Sequence, residues 1–163
     1  MTRLLPLMPA LILALAACGG GAAQTTAPTD APSVPSPPPE GEETSVFDLA
    51  AGDCFDGVQE DIVEVVSRID CAAPHEYELY AIVNHPGGSD DPYPGNADMS
   101  TFAQEECVAT FNAFVGADYE TSELFIYNLQ PTESTWALGD REVLCALYEP
   151  DTMLTGTMEG SNR

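Results

Sequence analysis

Residues 63–83 read VEVVSRIDCAAPHEYELYAIV, and their rhythm decides the fold. Val63, Val65, Ile69 and Cys71 fall on one face of a period-2 segment, with Glu64, Arg68 and Asp70 on the other. Tyr77, Leu79, Ala81 and Val83 repeat the alternation. Between the two runs, Ala72-Ala73-Pro74-His75 has the composition of a hairpin connection. Two strands are therefore predicted here.

Downstream, the period changes. Ala103, Cys107, Phe111 and Phe114 recur at helical spacing over residues 102–115, while Glu105, Glu106 and Asn112 fall elsewhere. Thr101 and Gln104 form a candidate capping box, and Gly116 is placed to end the helix. Leu124 to Leu129 and Val143 to Tyr148 read as a second pair of strands, joined by residues 130–141 with Pro131, Gly139 and Asp140. Asp53–Asp56 adds a short candidate strand. The class is α+β: a small antiparallel sheet of about four or five strands with one main helix packed on a face.

This layout also selects a cysteine pairing. Cys54, Cys71, Cys107 and Cys145 are even in number and permit three connectivities. Cys107 lies on the apolar face of the helix, and Cys145 alternates with Val143 and Leu147 on the core face of the last strand. A Cys107–Cys145 bond would pin helix to sheet and leave Cys54 to pair with Cys71. No CxxC occurs, so neither a thioredoxin-like redox motif nor a zinc knuckle is suggested.

Working back to the amino terminus, an apolar run from Leu4 to Ala17 precedes Cys18. Such a run is too short for a membrane-spanning helix and has the form of an export signal. Leu15-Ala16-Ala17-Cys18-Gly19 resembles a bacterial lipobox. That resemblance implies cleavage after residue 17 and lipid on the Cys18 sulfur and new amino terminus. Residues 18–45 then form a lipidated cysteine and a Pro/Ala/Thr-rich tether with almost nothing to bury. The tether could reach on the order of 80 Å at about 3 Å per residue. The folded part is expected at residues 46–163.

Composition limits the partners. The chain has 27 acidic residues, four arginines and no lysine, for a net charge of −23; loss of Arg3 with the signal makes it −24. No basic face can replace phosphate counterions, which argues against nucleic acid. Anionic lipid headgroups would also repel the chain, so attachment to a membrane must come from the acyl group.

The order of short motifs is familiar. Gly52-Asp53-Cys54-Phe55-Asp56 is followed by Val66 to Cys71, then by Pro74-His75-Glu76 with Glu78 close behind. Tyr93-Pro94-Gly95, the helix with Cys107, Pro131 with Trp136, and Gly139-Asp140-Arg141 with Cys145 complete it. The sequence from Phe47 to Gly160 resembles the septum-formation domain family, known chiefly from actinobacterial cell-envelope proteins and lipoproteins. The resemblance implies an extracytoplasmic domain associated with division septa and without an established enzymatic mechanism. The family pattern ends in a Gly-Ser-Leu-like stretch, where this chain has Gly156-Thr157-Met158.

Few residues are candidates for chemistry. His75 beside Glu76, with Glu78 two positions on, could hold a divalent metal or relay a proton. Adjacent strand residues point to opposite faces, however, and two ligands make a poor zinc site. A hydrogen bond from His75 to the turn backbone is the plainer expectation. Arg141, next to Asp140, is expected to fix a loop by pairing with a carboxylate such as Asp53 or Glu76. Trp136 is either core or an exposed anchor for a partner. The acidic loop from Ser89 to Asp98 lacks the ligand spacing of a calcium-binding loop. No hydrolase, phosphate-loop or metalloprotease motif occurs. The expectation is a non-enzymatic, lipid-anchored envelope module that needs neither cofactor nor metal and binds an envelope protein or cell-wall component. The alternative is a small envelope enzyme or metal-binding protein centred on His75 and Glu76. Cys18→Ser is expected to release the protein from membrane fractions; continued membrane association of the variant would contradict the anchor.

Overall fold

The structure is a computed structural model that describes residues 41–58 and 63–163. The expected signal segment, Cys18 and most of the expected tether lie outside the described residues. The strands are β1 (Glu42–Ser45), β2 (Cys54–Asp56), β3 (Val65–Ile69), β4 (Tyr77–Asn84), β5 (Phe125–Leu129) and β6 (Glu142–Tyr148). The helices are α1 (Asn96–Val115) and the short α2 (Glu133–Trp136). Among the described residues the strands form one antiparallel six-stranded sheet in the order β1-β3-β2-β4-β6-β5. The α+β class holds, with one strand more than the upper expectation.

That extra strand is β1. It pairs with β3 from Glu42↔Arg68 to Ser45↔Val65, so ordered structure begins ahead of the expected boundary at Val46. The pattern of the segment could not reveal this, because Glu42-Glu43-Thr44-Ser45 carries no apolar alternation and buries mainly Thr44. The residues between β3 and β4 do not make the expected hairpin either. β2 lies between those two strands and pairs with both.

Strand β4 explains a second departure. Its register against β6 shifts between Leu79 and Ala81, leaving Tyr80 as the extra residue. Such a bulge moves every later side chain to the other face. Tyr77 and Leu79 therefore face one core with Ile82, while Tyr80 faces the other with Ala81 and Val83. The single face drawn through Tyr77, Leu79, Ala81 and Val83 is thus broken. In β3 the buried valine is Val66, and Val65 is 55% exposed.

Each face of the sheet carries a core. On the front, α1 buries Met99, Ala103, Cys107, Phe111 and Val115, each one turn beyond the last, against Tyr80, Val143, Cys145 and Leu147. On the back, Val46 and Leu49 pack over Phe55, Val66, Leu79, Leu144 and Ala146. β6 is therefore buried on both sides.

Helix α1 starts at Asn96, earlier than expected, after Pro94-Gly95. Thr101 lies within it and donates its hydroxyl to the Ala97 carbonyl at 3.0 Å rather than capping it. Gly116 does end it: φ is 84° and its N–H donates to the Asn112 carbonyl. The capping box is found instead on α2, where Thr132 and Thr135 satisfy each other's backbone N–H.

The disulfides are Cys54–Cys71 and Cys107–Cys145, as the layout required. The second joins α1 to β6 with Cα atoms 5.4 Å apart. Tyr80 reinforces it by donating its hydroxyl to the Cys107 carbonyl at 2.7 Å. Burial holds the Tyr80 phenol well above the ordinary tyrosine range. The Cys107–Cys145 loop spans a sequence separation of 38. Replacing both cysteines by alanine should cost about 4 kcal/mol in a denaturant melt, on the loop-closure model. A loss below about 1 kcal/mol would show that the bond adds little to a helix already docked by its apolar face.

Candidate functional site

The back of the sheet is incompletely covered toward β5. Cross-strand pairs share a face, so Phe125, Tyr127 and Leu129 lie beside Tyr148, Ala146 and Leu144 there. Rings accumulate: Tyr77 stacks on Phe55 with centroids 5.4 Å apart and lies 5.4 Å from Tyr127 and 5.6 Å from Tyr148. Phe125 is 5.9 Å from Tyr148 and 47% exposed.

A cleft of about 600 Å³ opens at the Leu129 end of this face. Its wall mixes rings, amides and hydroxyls, including Phe47, Tyr93, Tyr127, Gln130 and Thr132. Glu64, Asp140 and Glu142 supply carboxylates, and no arginine lines it among the described residues. Tyr93 is held by a bond from its hydroxyl to the Pro131 carbonyl at 3.2 Å. Burial, then the nearby Glu133, raises the Tyr93 phenol above its usual range. A smaller hollow of about 380 Å³ lies at the other end, beside Tyr77, Tyr148 and Asp151.

The candidates named from sequence do not converge. His75 is fully buried, and its Nδ1 lies 2.8 Å from the Ala73 carbonyl. A carbonyl only accepts, so this network assigns the proton to Nδ1. Its backbone bridges to Leu154 in both directions, through bonds of 3.1 and 2.8 Å. Glu76 turns away: its carboxylate accepts the Gly57 N–H at 3.3 Å. The one group of three potential metal ligands among the described residues is Cys54, Cys71 and Glu78. Its two sulfurs are bonded to each other.

Glu78 has a different role. It is fully buried, and its two oxygens accept from the Thr157 hydroxyl and from the Met158 N–H, the latter at 2.6 Å. A buried carboxylate is costly unless its oxygens are satisfied, and here the carboxy-terminal tail satisfies them. Thr157 offers the hydroxyl that a serine would offer, so the departure from Gly-Ser-Leu keeps a donor at that position. The sequence carried one signal of this, an acid within the otherwise apolar run Tyr77-Glu78-Leu79-Tyr80.

Arg141 corrects another expectation. Asp53 is met by Arg68 at 3.9 Å, and Arg68 also pairs with Glu42 at 3.1 Å. Arg141 instead lies over the Trp136 ring, 3.5 Å from its centroid. Its guanidinium donates to the carbonyls of Gly87, Gly88, Trp136 and Asp140 at 2.7–3.2 Å. Trp136 is core, and its indole N–H donates to the Asp91 carbonyl at 2.8 Å. Asp140 accepts the Glu142 N–H at 3.0 Å and borders the cleft. Together Arg141 and Trp136 fasten residues 85–91 to the turn before β6 and so fix one bank of the cleft.

Against known families, the septum-formation model matches residues 51–160. The chain belongs to the septum-formation family. No curated protein and no solved structure matches it. The family suggests a cell-division-related function in the envelope, and with the two disulfides it is consistent with an extracytoplasmic protein. Among the described residues no helix is long and apolar enough to cross a membrane.

Arg141→Ala should lower stability by roughly 1–3 kcal/mol, because four carbonyls each lose a donor and Trp136 loses its cover. Arg141→Lys should recover little, since an ammonium reproduces neither the fork nor the stack. Thermal melts of both variants check this; an unchanged midpoint for Arg141→Ala would contradict it.

Proposed function

We propose that this septum-formation protein is a non-enzymatic binding module, held at the outer face of a membrane by lipid on Cys18 and engaging an envelope protein or cell-wall component. The observation that carries this reading is the cleft. It offers rings, amides and carboxylates for recognition, while the most reactive side-chain types are committed to structure. Both cysteine pairs are oxidised, His75 is buried against the Ala73 carbonyl, and Glu78 anchors the tail. Such a wall suits binding, and the tether gives the domain reach from its anchor.

A photoreactive residue placed at Phe47, which is 58% exposed on the cleft wall, should crosslink to an envelope component in intact cells. The same residue at Glu105, exposed on α1 away from the cleft, should not. Mass spectrometry of the products identifies the partner. Equal crosslinking from both positions, or none from Phe47, would contradict the assignment of the cleft.

A further inference from the structure

The two edges of the sheet are built differently. β1, at one edge, is four residues long and carries Glu42 and Glu43. Short length and charge are how proteins guard an edge against further pairing. β5, at the other edge, reads Phe125-Ile126-Tyr127-Asn128-Leu129 and has no charge and no proline. Among the described strands it pairs with β6 alone, and its first residue leaves an aromatic ring half in solvent. An edge this apolar is an open template for another strand.

The cleft lies at the end of that strand, and its charge selects the occupant. Glu64, Asp140 and Glu142 border it without a described cation. Glu64 and Glu142 are exposed, and neither side chain makes a hydrogen bond or ion pair among the described residues. Tyr93 presents its ring beside them, and ring faces attract ammonium and guanidinium groups. A second copy of this chain is disfavoured, since both would carry a net charge of −23. The chain's own tether is disfavoured too: residues 19–40 contain Asp30 and Glu40 and no basic residue. Anionic polymers are repelled by the same charges.

We infer that the β5 edge and its adjoining acidic cleft receive an extended, basic segment of a partner protein. The segment adds a strand beside Phe125–Leu129 and places lysine or arginine side chains among Glu64, Asp140 and Glu142. Backbone pairing supplies affinity without sequence, and the carboxylates supply selectivity and speed of encounter. This rests on the binding-module reading and names the partner's chemistry.

The test uses the full chain and a labelled short peptide of alternating lysine and valine. Glutamate–valine and serine–valine peptides and a neutral chitin oligosaccharide serve as comparisons. Fluorescence anisotropy should show binding of the lysine peptide alone, weakened by salt. Hydrogen exchange at residues 125–129 should slow on binding. Glu64→Gln with Glu142→Gln should weaken it by roughly fivefold, the scale of two partly exposed ion pairs. Phe125→Lys, which installs a guard on the edge, should abolish it. Equal binding of the glutamate peptide, binding of the oligosaccharide in place of the peptide, or unchanged affinity in the double variant would overturn the inference. If the Phe47 crosslink in cells persists in Glu64→Gln/Glu142→Gln, the module reading stands and the basic-segment inference falls.

Discussion

Everything in this domain is hung on Cys107. Its sulfur is bonded to Cys145 on β6, and its carbonyl receives the Tyr80 hydroxyl from β4. One helical residue is thus joined to two neighbouring strands, by a covalent bond and a buried hydrogen bond. Tyr80 faces the helix by the ordinary alternation after Leu79, and the bulge in β4 turns Ala81 and Val83 to join it there. With α1 fixed across the front, the front core is closed. The rest of the chain must cover the back, and it does so incompletely. Val46 and Leu49 cover the centre, while the face next to β5 keeps its rings and its cleft. The open surface lies where the cover from Val46 and Leu49 ends.

Much of this was legible in the sequence, for a physical reason. Strong periodicities report burial, and burial is what the strands near 65–69, 77–84, 125–129 and 142–148 and the helix through Cys107 have in common. The disulfide pairing followed because Cys107 and Cys145 each fell in phase with core neighbours. What escaped were features without a local period. β1 buries too little to leave a pattern. β2 intervenes between β3 and β4 through pairing that only tertiary structure reveals. The bulge at Tyr80 inverts the alternation midway, so a correct strand carried an incorrect face. In the site, the backbone hydrogen bond of His75 was expected, whereas the Arg141 stack on Trp136 was not. Carbonyl oxygens are invisible to a reading that looks for side-chain partners. Glu78 and Thr157 lie far apart in the chain, and no spacing rule links them.

The surface electrostatics then make sense of the edges. Lysine-free and strongly acidic, the chain repels copies of itself and other polyanions. Such a chain can leave one uncharged strand edge exposed with less hazard of self-pairing than a neutral protein would face. Long-range repulsion guards what local charge does not, and a cationic partner alone finds both the edge and the neighbouring carboxylates attractive. On the proposed lipid-anchored reading, the same charge would keep the domain clear of anionic headgroups.

Native-state hydrogen exchange of the full chain tests the central claim most directly, because it ranks segments by the free energy of opening. Amides of α1 around Cys107 and those shared by β4 and β6 should exchange only with global unfolding, as one cooperative unit. β5 amides that face away from β6 should exchange far faster, since nothing among the described residues pairs with that edge. If α1 opened as an independent unit while β5 stayed uniformly protected, the account would be contradicted. The helix would then not be the fixed element, and β5 would not be an exposed edge.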